Sequence, residues 1–293
     1  MNAALIAEER AKFHSVLLAE DLNCDAGGIP SVADRNSAIS VGISKAWIAK
    51  LGSSSERVKA AGQVAGKSFE HAVANFLENT FLQLVHIRPG TWQVLQGSNK
   101  ASVRVSNFSQ YNHLLTLSEM ARINPSLRAA LGGDYLIEPD VVIARAAESE
   151  EFLNPKGSIL NDLSGRLSPL RAINHEGDLP VRLLHASISC KWTLRSDRAQ
   201  NARTEALNLI RNRNGRVPHI VAITAEPTPK RIASIALGSS DIDCIYHVAL
   251  PELREAVAES LEGRRSEQLE DLDMLIQGKR LRDISDLPLD LAM

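Results

Sequence analysis

A run of alternating residues beyond the middle of the chain most constrains the fold. Leu183–Trp192 is rich in apolar residues and alternates as a β-strand does within a sheet. The alternation places Ser189 and Lys191 on one face of this strand and turns Cys190 to the other. The chain therefore needs a sheet with an edge at which the lysine is presented.

Length and composition predict one large α/β unit. The 293 residues are 44% hydrophobic, which is ordinary for a globular protein with a core. Cys24, Cys190 and Cys244 are odd in number and far apart, which fits a reducing compartment and offers neither a disulfide framework nor zinc spacing. The sequence has no apolar run of about 18 residues and no secretory signal pattern at its start. We therefore expect a cytoplasmic protein that does not associate with a membrane.

The apolar patterns predict an alternation of helices and strands. Helices are expected at 3–20, Val64–Val85, Ala199–Arg211, Glu252–Leu261 and Ser266–Gln277, and strands at Trp92–Gln96, Val103–Val105, 135–144, Leu183–Trp192, His219–Thr224 and Ile242–Leu250. This order favours an α/β fold with a central mixed β-sheet flanked by helices. We expect residues 1–293 to form a single domain in which the polar stretch at about 147–180 is an insertion.

The charges are unevenly distributed, although the net charge is only −2. Lys191–Arg216 carries seven basic and two acidic residues, whereas Glu252–Asp290 carries eleven acidic and six basic residues. The first segment could form a basic face that contacts phosphates. A solvated helix face would have the same composition.

Two residues of the predicted strands could act on a phosphodiester. Hydrolysis of a DNA strand needs divalent cations to carry charge on the phosphate and to acidify a water, and Mg²⁺ prefers carboxylate oxygens and waters as ligands. Asp140 follows Pro139 at a bend between apolar runs, where its carboxylate would reach the sheet edge. Lys191 could orient the attacking water or offset negative charge in the transition state. Asp140 could also simply end a strand, and Lys191 could lie at the rim without a catalytic role.

The pattern Pro139-Asp140 … Ser189-x-Lys191 resembles the PD-(D/E)xK nuclease signature with one departure. Ser189 stands where a second carboxylate is usual, so one metal ligand is missing. Glu205, on the predicted helix that follows the lysine strand, could supply it, and Glu70 on the helix at 64–85 is a second candidate. Either glutamate could instead be a solvated helix carboxylate.

Arg195, Asp197 and Arg198 are suited to reading G·C base pairs. Arginine binds O6 and N7 of guanine, and a carboxylate accepts a hydrogen bond from the amino group of cytosine. Two arginines and the two oxygens of one aspartate match the two guanines and two cytosines of a half-site, so a symmetric dimer could read a palindromic CCGG. The same residues would also suit a surface ion-pair cluster at a helix N-terminus, with Ser196 or Asp197 as the cap.

The combination of Ser189-Cys190-Lys191 with Arg195-Ser196-Asp197-Arg198 resembles the NgoMIV-type type II restriction endonucleases. The sites of that group contain a CCGG core, and the resemblance extends over essentially the whole chain. It implies the restriction-endonuclease-like fold of the PD-(D/E)xK superfamily.

The resemblance also implies a role for each candidate residue. The catalytic and metal-handling set would be Asp140, Lys191, Glu205 and Glu70, with Ser189 in place of the usual acid; Asp140 and Glu205 would bind Mg²⁺. The core would be read by Arg195, Asp197 and Arg198, the outer base pair by Asp34 and Arg231, and the minor groove by Gln63.

The family further implies a homotetramer of two back-to-back dimers that acts on double-stranded DNA. Cleavage before the first C of the core would leave 5′ overhangs, and GCCGGC is the predicted site. A cognate DNA methyltransferase of the same restriction-modification system would act on that site without forming a stable complex with the nuclease.

Two other functions fit parts of the pattern. A repair or junction nuclease of the same fold would not need a base-reading cluster beside the lysine. A non-enzymatic DNA-binding regulator would bind without metal and would not cleave. We predict the sequence-specific endonuclease because groups for chemistry and for recognition occur together and in matching number.

Overall fold

A mixed six-stranded sheet forms the centre of the computed structural model, which describes residues 4–52, 62–97, 100–131, 137–174, 182–238, 241–260 and 267–293. The strands, which lie side by side in chain order, are β1 (Trp92–Gln96), β2 (Val141–Ala146), β3 (Arg182–Lys191), β4 (His219–Thr224), β5 (Cys244–His247) and β6 (Leu281–Asp283). The pairs β1–β2 and β2–β3 are antiparallel, and the pairs from β3 to β6 are parallel. This arrangement confirms the predicted α/β fold with a mixed sheet.

Helices pack on the sheet or lie in the connections between its strands. They are α1 (Leu5–Glu20), α2 (Ala38–Leu51), α3 (Gly62–Thr80), α4 (Lys100–Val103), α5 (His113–Ile123), α6 (Pro125–Leu131), α7 (Glu150–Leu153), α8 (Ser196–Arg211), α9 (Pro229–Ala236), α10 (Leu250–Ser260), α11 (Glu267–Gln277) and α12 (Leu287–Ala292). In the part of the chain that the structure describes, none of these helices has the length and apolar composition needed to cross a membrane.

Strand β2 shows why both faces of the sheet are buried. Val141 and Ile143 belong to the larger hydrophobic core, to which α1, α2, α3 and α10 contribute. Val142 and Ala144 belong to a second core on the other face, together with Tyr111. Successive side chains of a strand point to opposite faces, so a nearly continuous apolar strand needs cover on both.

The carboxyl ends of β3 and β4 meet at one edge of the sheet. Lys191 and Thr224 are register partners at these ends. Because β2 runs antiparallel to β3, its first residues reach the same edge, and Asp140 directly precedes β2. In α/β sheets, ligands bind in the crevice outside the carboxyl ends of the parallel strands.

Some predicted elements differ from the structure. The predicted strand at Val103–Val105 is wrong: Val103 ends α4 and Val105 begins a 3₁₀ turn, and both are buried, so the alternation reflects burial rather than pairing. The strand predicted at 135–144 begins only at Val141, since Pro139 has no N–H to donate to a ladder; residues 135 and 136 lie outside the described residues. The strand predicted at Ile242–Leu250 is shorter, because the chain turns into α10 at its last residue.

The segment after β2 is anchored at both of its described ends by buried charged groups. The Glu148 carboxylate accepts hydrogen bonds from Thr91 N at 2.9 Å and from Arg145 Nε at 2.9 Å. Arg171, 4% exposed, donates to both carboxylate oxygens of Glu150. Between these anchors the chain forms turns and the short α7.

Candidate active site and base-reading groove

Asp140 and Lys191 form the centre of the candidate site. Lys191 Nζ donates to Asp140 Oδ2 at 2.9 Å, and the backbone N–H of Cys190 donates to the same oxygen at 2.7 Å. The Asp140 side chain is 23% exposed and the Lys191 side chain is 15% exposed, so the pair is partly buried but still reaches the surface. Burial disfavours the ammonium, but the charges of Asp140 and Glu205 outweigh this, and the pKa of Lys191 is raised. Lys191 is therefore a cation at neutral pH.

Glu205 on α8 lies on the face of β3 that carries Ser189 and Lys191. Ser189 and Glu205 line the same small cavity between β3 and α8. Burial raises the pKa of the Glu205 carboxyl, and the nearby Lys191 charge counters part of this rise. The Ser189 Oγ is buried and has no partner of normal hydrogen-bond geometry among the described residues. Glu205 thus supplies a carboxylate on the side of the sheet where serine replaces the usual acid.

Glu70 approaches the same edge from the opposite face of the sheet. Its Oε2 lies 3.8 Å from the position that a Cβ on Gly97 would take, and that position is 3.3 Å from the carbonyl oxygen of Asp140. Gly97 N also donates to the Asp140 carbonyl at 2.8 Å. Glu70 therefore lies beside the Asp140 backbone, and Gly97 leaves the close approach open.

The donor set fits a hard divalent cation. Among the side chains that the structure describes, no group of three or more His, Cys, Asp and Glu residues is arranged as a metal site. Mg²⁺ does not need one, because it keeps several waters and binds through one or two carboxylates and substrate phosphates. Asp140 and Glu205 provide such a pair, and the Lys191 ammonium interacts with both.

A polar cavity of about 660 Å³ lies beside this centre. Arg195, Asp34 and Arg231 line it together, although they come from three distant parts of the chain. Arg231 Nη2 donates to Asp34 Oδ2. The N–H of Asn36 and the Arg231 guanidinium hold the pKa of Asp34 below its usual value. Asp34 is therefore a carboxylate at neutral pH.

Three predicted recognition residues are placed only by their backbone. Asp197 and Arg198 lie in the first turn of α8, and Gln63 lies in the first turn of α3, two turns before Glu70. Their side chains lie outside what the structure describes. Arg195 is the N-cap of α8 and is exposed, so this helix starts at the cavity.

Sequence reasoning missed two residues that shape the site. Glu226 is fully buried beside the ends of β3 and β4. In the sequence it is a single glutamate after a predicted strand, which does not indicate burial or a role in the site. Gly97 directly follows β1. A glycine at the end of a predicted strand often marks a close approach of another backbone, so the sequence did contain a signal for this residue.

Comparison with known proteins agrees with this geometry. A family model described as NgoMIV restriction enzyme matches residues 13–293. The type II restriction enzyme NgoMIV of Neisseria gonorrhoeae is 46% identical over 290 residues, which cover 99% of each chain.

The fold and the match define the class: this is a type II restriction endonuclease, a site-specific deoxyribonuclease with a restriction-endonuclease-like fold. The chain belongs to the NgoMIV restriction enzyme family. The prediction of a sequence-specific endonuclease is thereby confirmed over the junction nuclease and the non-enzymatic regulator. Type II restriction enzymes generally use a divalent metal ion.

Proposed function

We propose that the chain cleaves double-stranded DNA, with Mg²⁺, at palindromes with a CCGG core. The proposed site is GCCGGC, cut before the first C of the core to leave 5′ overhangs. The observation that carries this proposal is the shared position of the two sets of groups. Lys191 ends β3 and Arg195 occupies the N-cap position of α8 four residues later, so the groups proposed for cutting and for reading lie at one edge of the sheet.

The cation would be held by Asp140 and Glu205. When bound, Mg²⁺ supplies charge neutralisation on the scissile phosphate and lowers the pKa of a water. The backbone N–H of Cys190 holds the Asp140 carboxylate in place independently of Lys191. Glu70, beside the Asp140 backbone, adds a further carboxylate on the opposite side.

Lys191 would act on the reacting groups through its charge. Its ammonium is fixed by Asp140 and remains protonated, so it can donate a hydrogen bond to the phosphate or orient the attacking water. Ser189 replaces an acid beside it and adds no negative charge, which leaves Glu205 as the carboxylate on that face.

Arg195, Asp197 and Arg198 would read the CCGG core from the start of α8, and Gln63 would contact the minor groove. The Arg231–Asp34 pair would read the outer base pair. It presents one guanidinium and one ionised carboxylate side by side, which are the groups that recognise guanine and cytosine in the major groove. That pair is compatible with a G·C pair outside the core, and the order of its bases, hence GCCGGC, is what the family resemblance implies.

Assembly as a homotetramer of back-to-back dimers is what the family resemblance implies, and exposed apolar side chains in the segment after β2 support a contact with a second copy there. Leu167 is 97% exposed and Leu163 is 82% exposed. Three more large apolar residues of this segment are exposed, namely Phe152, Ile159 and Ile173. Exposed apolar side chains that are concentrated in one segment commonly mark a site of interaction with another protein chain. We propose that residues 1–293 form one endonuclease domain, with the insertion at about 147–180 facing a second copy.

The test measures cleavage of short duplexes that carry GCCGGC or single-base variants of it. Arg195→Ala should cost about 1–3 kcal/mol for each bidentate base contact that is lost, and the loss should concern the core positions. Arg254→Ala is the control, because Arg254 is also an exposed arginine but pairs with Asp273 away from this edge. Unchanged preference for CCGG in Arg195→Ala would refute the base-reading role.

Methylation provides a second test of the same reading. Methyl groups on the core cytosines should block cleavage if Arg195, Asp197 and Arg198 contact these bases closely in the major groove. A cognate methyltransferase that acts on the same site would protect DNA from cleavage in this way. Normal digestion of DNA methylated at every core cytosine contradicts direct reading of these bases.

A further inference from the structure

Glu226 is a fully buried carboxylate without a part in the chemistry described above. It lies on the loop that follows β4 and has 0% exposure. A buried carboxylate is costly unless its oxygens are satisfied by hydrogen bonds or charges. Its partners therefore indicate what it is for.

Each oxygen of Glu226 accepts a hydrogen bond from the backbone beside a different helix. Leu194 N donates to Oε2 at 2.9 Å, and Thr228 N donates to Oε1 at 3.1 Å. Leu194 directly precedes Arg195, the N-cap of α8. Thr228 is the N-cap of α9, which carries Arg231 in its first turn.

The N-cap side chains of these two helices do not provide such support. Neither Arg195 nor Thr228 makes a side-chain capping hydrogen bond to its own helix. Glu226 also lies 3.8 Å from Arg231 Nη1 through Oε2, while the other end of that guanidinium contacts Asp34. One carboxylate is thus linked to the start of α8, the start of α9 and the side chain of Arg231.

We propose that Glu226 is a positioning residue for DNA recognition, which fixes the N-termini of α8 and α9 relative to each other so that core and outer base pairs are read together. The inference rests on the proposed base-reading roles of Arg195 and Arg231. Glu226 does not itself contact DNA, since its carboxylate is fully buried and bonded to backbone N–H groups.

The test replaces Glu226 by glutamine, which has nearly the same shape. The amide retains one acceptor oxygen, but its NH₂ group faces either the Leu194 or the Thr228 N–H, and the charge beside Arg231 is lost. We expect the preference for GCCGGC to fall roughly ten- to hundred-fold against duplexes altered in the core and also against those altered in the outer pair. Binding is measured in Ca²⁺, without cleavage, together with the affinity for a duplex that lacks CCGG, which should not change.

Glu148→Gln is the matched control. Glu148 is also buried, accepts from a backbone N–H and from an arginine, and lies at the opposite end of β2 from Asp140. It should reduce stability without changing sequence preference. Equal loss of preference in both variants would reduce the role of Glu226 to general stability and would overturn the proposal.

A second perturbation covers the case in which Glu226→Gln does not fold. Thr224 Oγ1 accepts from the N–H of Glu226 at 3.1 Å, so Thr224→Val loosens the loop and leaves the carboxylate intact. It should reduce preference at core and outer positions in the same direction by a smaller factor. Unchanged preference in the folded variants overturns the inference.

The variants Arg195→Ala and Arg231→Ala separate this inference from the proposed function. Each should affect only its own base positions, whereas Glu226→Gln should affect both. If the arginine variants lose preference and Glu226→Gln does not, only the positioning role fails. If the arginine variants also keep full preference, the proposed reading roles fail with it.

Discussion

Replacement of Lys191 by methionine should separate cleavage from stability and from DNA binding. The 2.9 Å separation of Lys191 Nζ and Asp140 Oδ2 corresponds to about 6 kcal/mol of gross attraction at an effective dielectric constant of about 20. Most of this attraction is offset by desolvation, and both side chains keep some exposure. Asp140 also retains its hydrogen bond from Cys190 N. We therefore expect a loss of about 1–3 kcal/mol in the free energy of unfolding, between the values for exposed and for fully buried pairs.

The effect on cleavage should be much larger. Groups that donate protons or hydrogen bonds in a transition state typically contribute a factor of about 10² to 10⁴, which corresponds to about 3–5 kcal/mol in the barrier. Single-turnover cleavage with enzyme in excess over DNA measures this rate without product release. Specific binding in Ca²⁺ should stay within a few-fold of the original chain, because Arg195 and the start of α8 are not altered.

Lys50→Met is the control for this experiment. Lys50 has a similar side-chain exposure of 20% and also pairs with a carboxylate, that of Glu259, but on α2 and α10. It should cut at the normal rate. A Lys191→Met variant that cleaves within ten-fold of the original chain would refute the catalytic role of this lysine.

Three further predictions follow from other residues. Arg231→Ala should relax discrimination at the outer base pair by about 1–3 kcal/mol and leave the core preference intact, as measured by competition binding; an equal loss at the core contradicts its assignment. Burial raises the pKa of Glu205, and only the ionised carboxylate binds a cation. As the pH falls, the cleavage rate at low Mg²⁺ should therefore start to decline at a pH above the ordinary pKa of glutamate. A higher Mg²⁺ concentration should move this decline to lower pH. A rate that stays flat down to pH 4.5, the ordinary value, is incompatible with this. Burial raises the pKa of Asp21 to about 7 from 3.8, so the folded state keeps the proton that the unfolded state releases, and stability falls as pH rises between these values. Asp21→Asn should therefore raise the free energy of unfolding by at most about 4 kcal/mol at pH 8 and by less at pH 5, in urea denaturation; a gain independent of pH would count against a buried acid.

Local patterns predicted the parts of the site that depend on one segment. The alternation in Leu183–Trp192 gave strand β3, and therefore the common face of Ser189 and Lys191, because side-chain direction in a strand repeats every two residues. The helix that follows placed Glu205 within reach of that face for the same local reason, and the structure puts Glu205 and Ser189 on one cavity.

Features that depend on long-range pairing were not predictable in this way. Glu226 contacts Leu194 only because β3 and β4 are parallel neighbours whose ends lie side by side, and no periodicity near residue 226 reports that. Helix α2 (Ala38–Leu51) was not predicted, since its apolar residues are spread around the helix and two serines lie on its buried face, which leaves no clear apolar stripe. The short β6 and α12 at the end of the chain were missed because they are stabilised by pairing with β5 and by packing on the turn at Phe81–Leu84 rather than by a pattern of their own.

Sequencing the ends of one plasmid digested in Mg²⁺ is the most direct measurement of the central claim, that one edge of the sheet both cuts DNA and selects where to cut. We predict that every end derives from GCCGGC, with a 5′ overhang that reads CCGG, and that Lys191→Met yields no ends. Ends at sites without a CCGG core, or ends spread over the plasmid without a common sequence, would contradict the account.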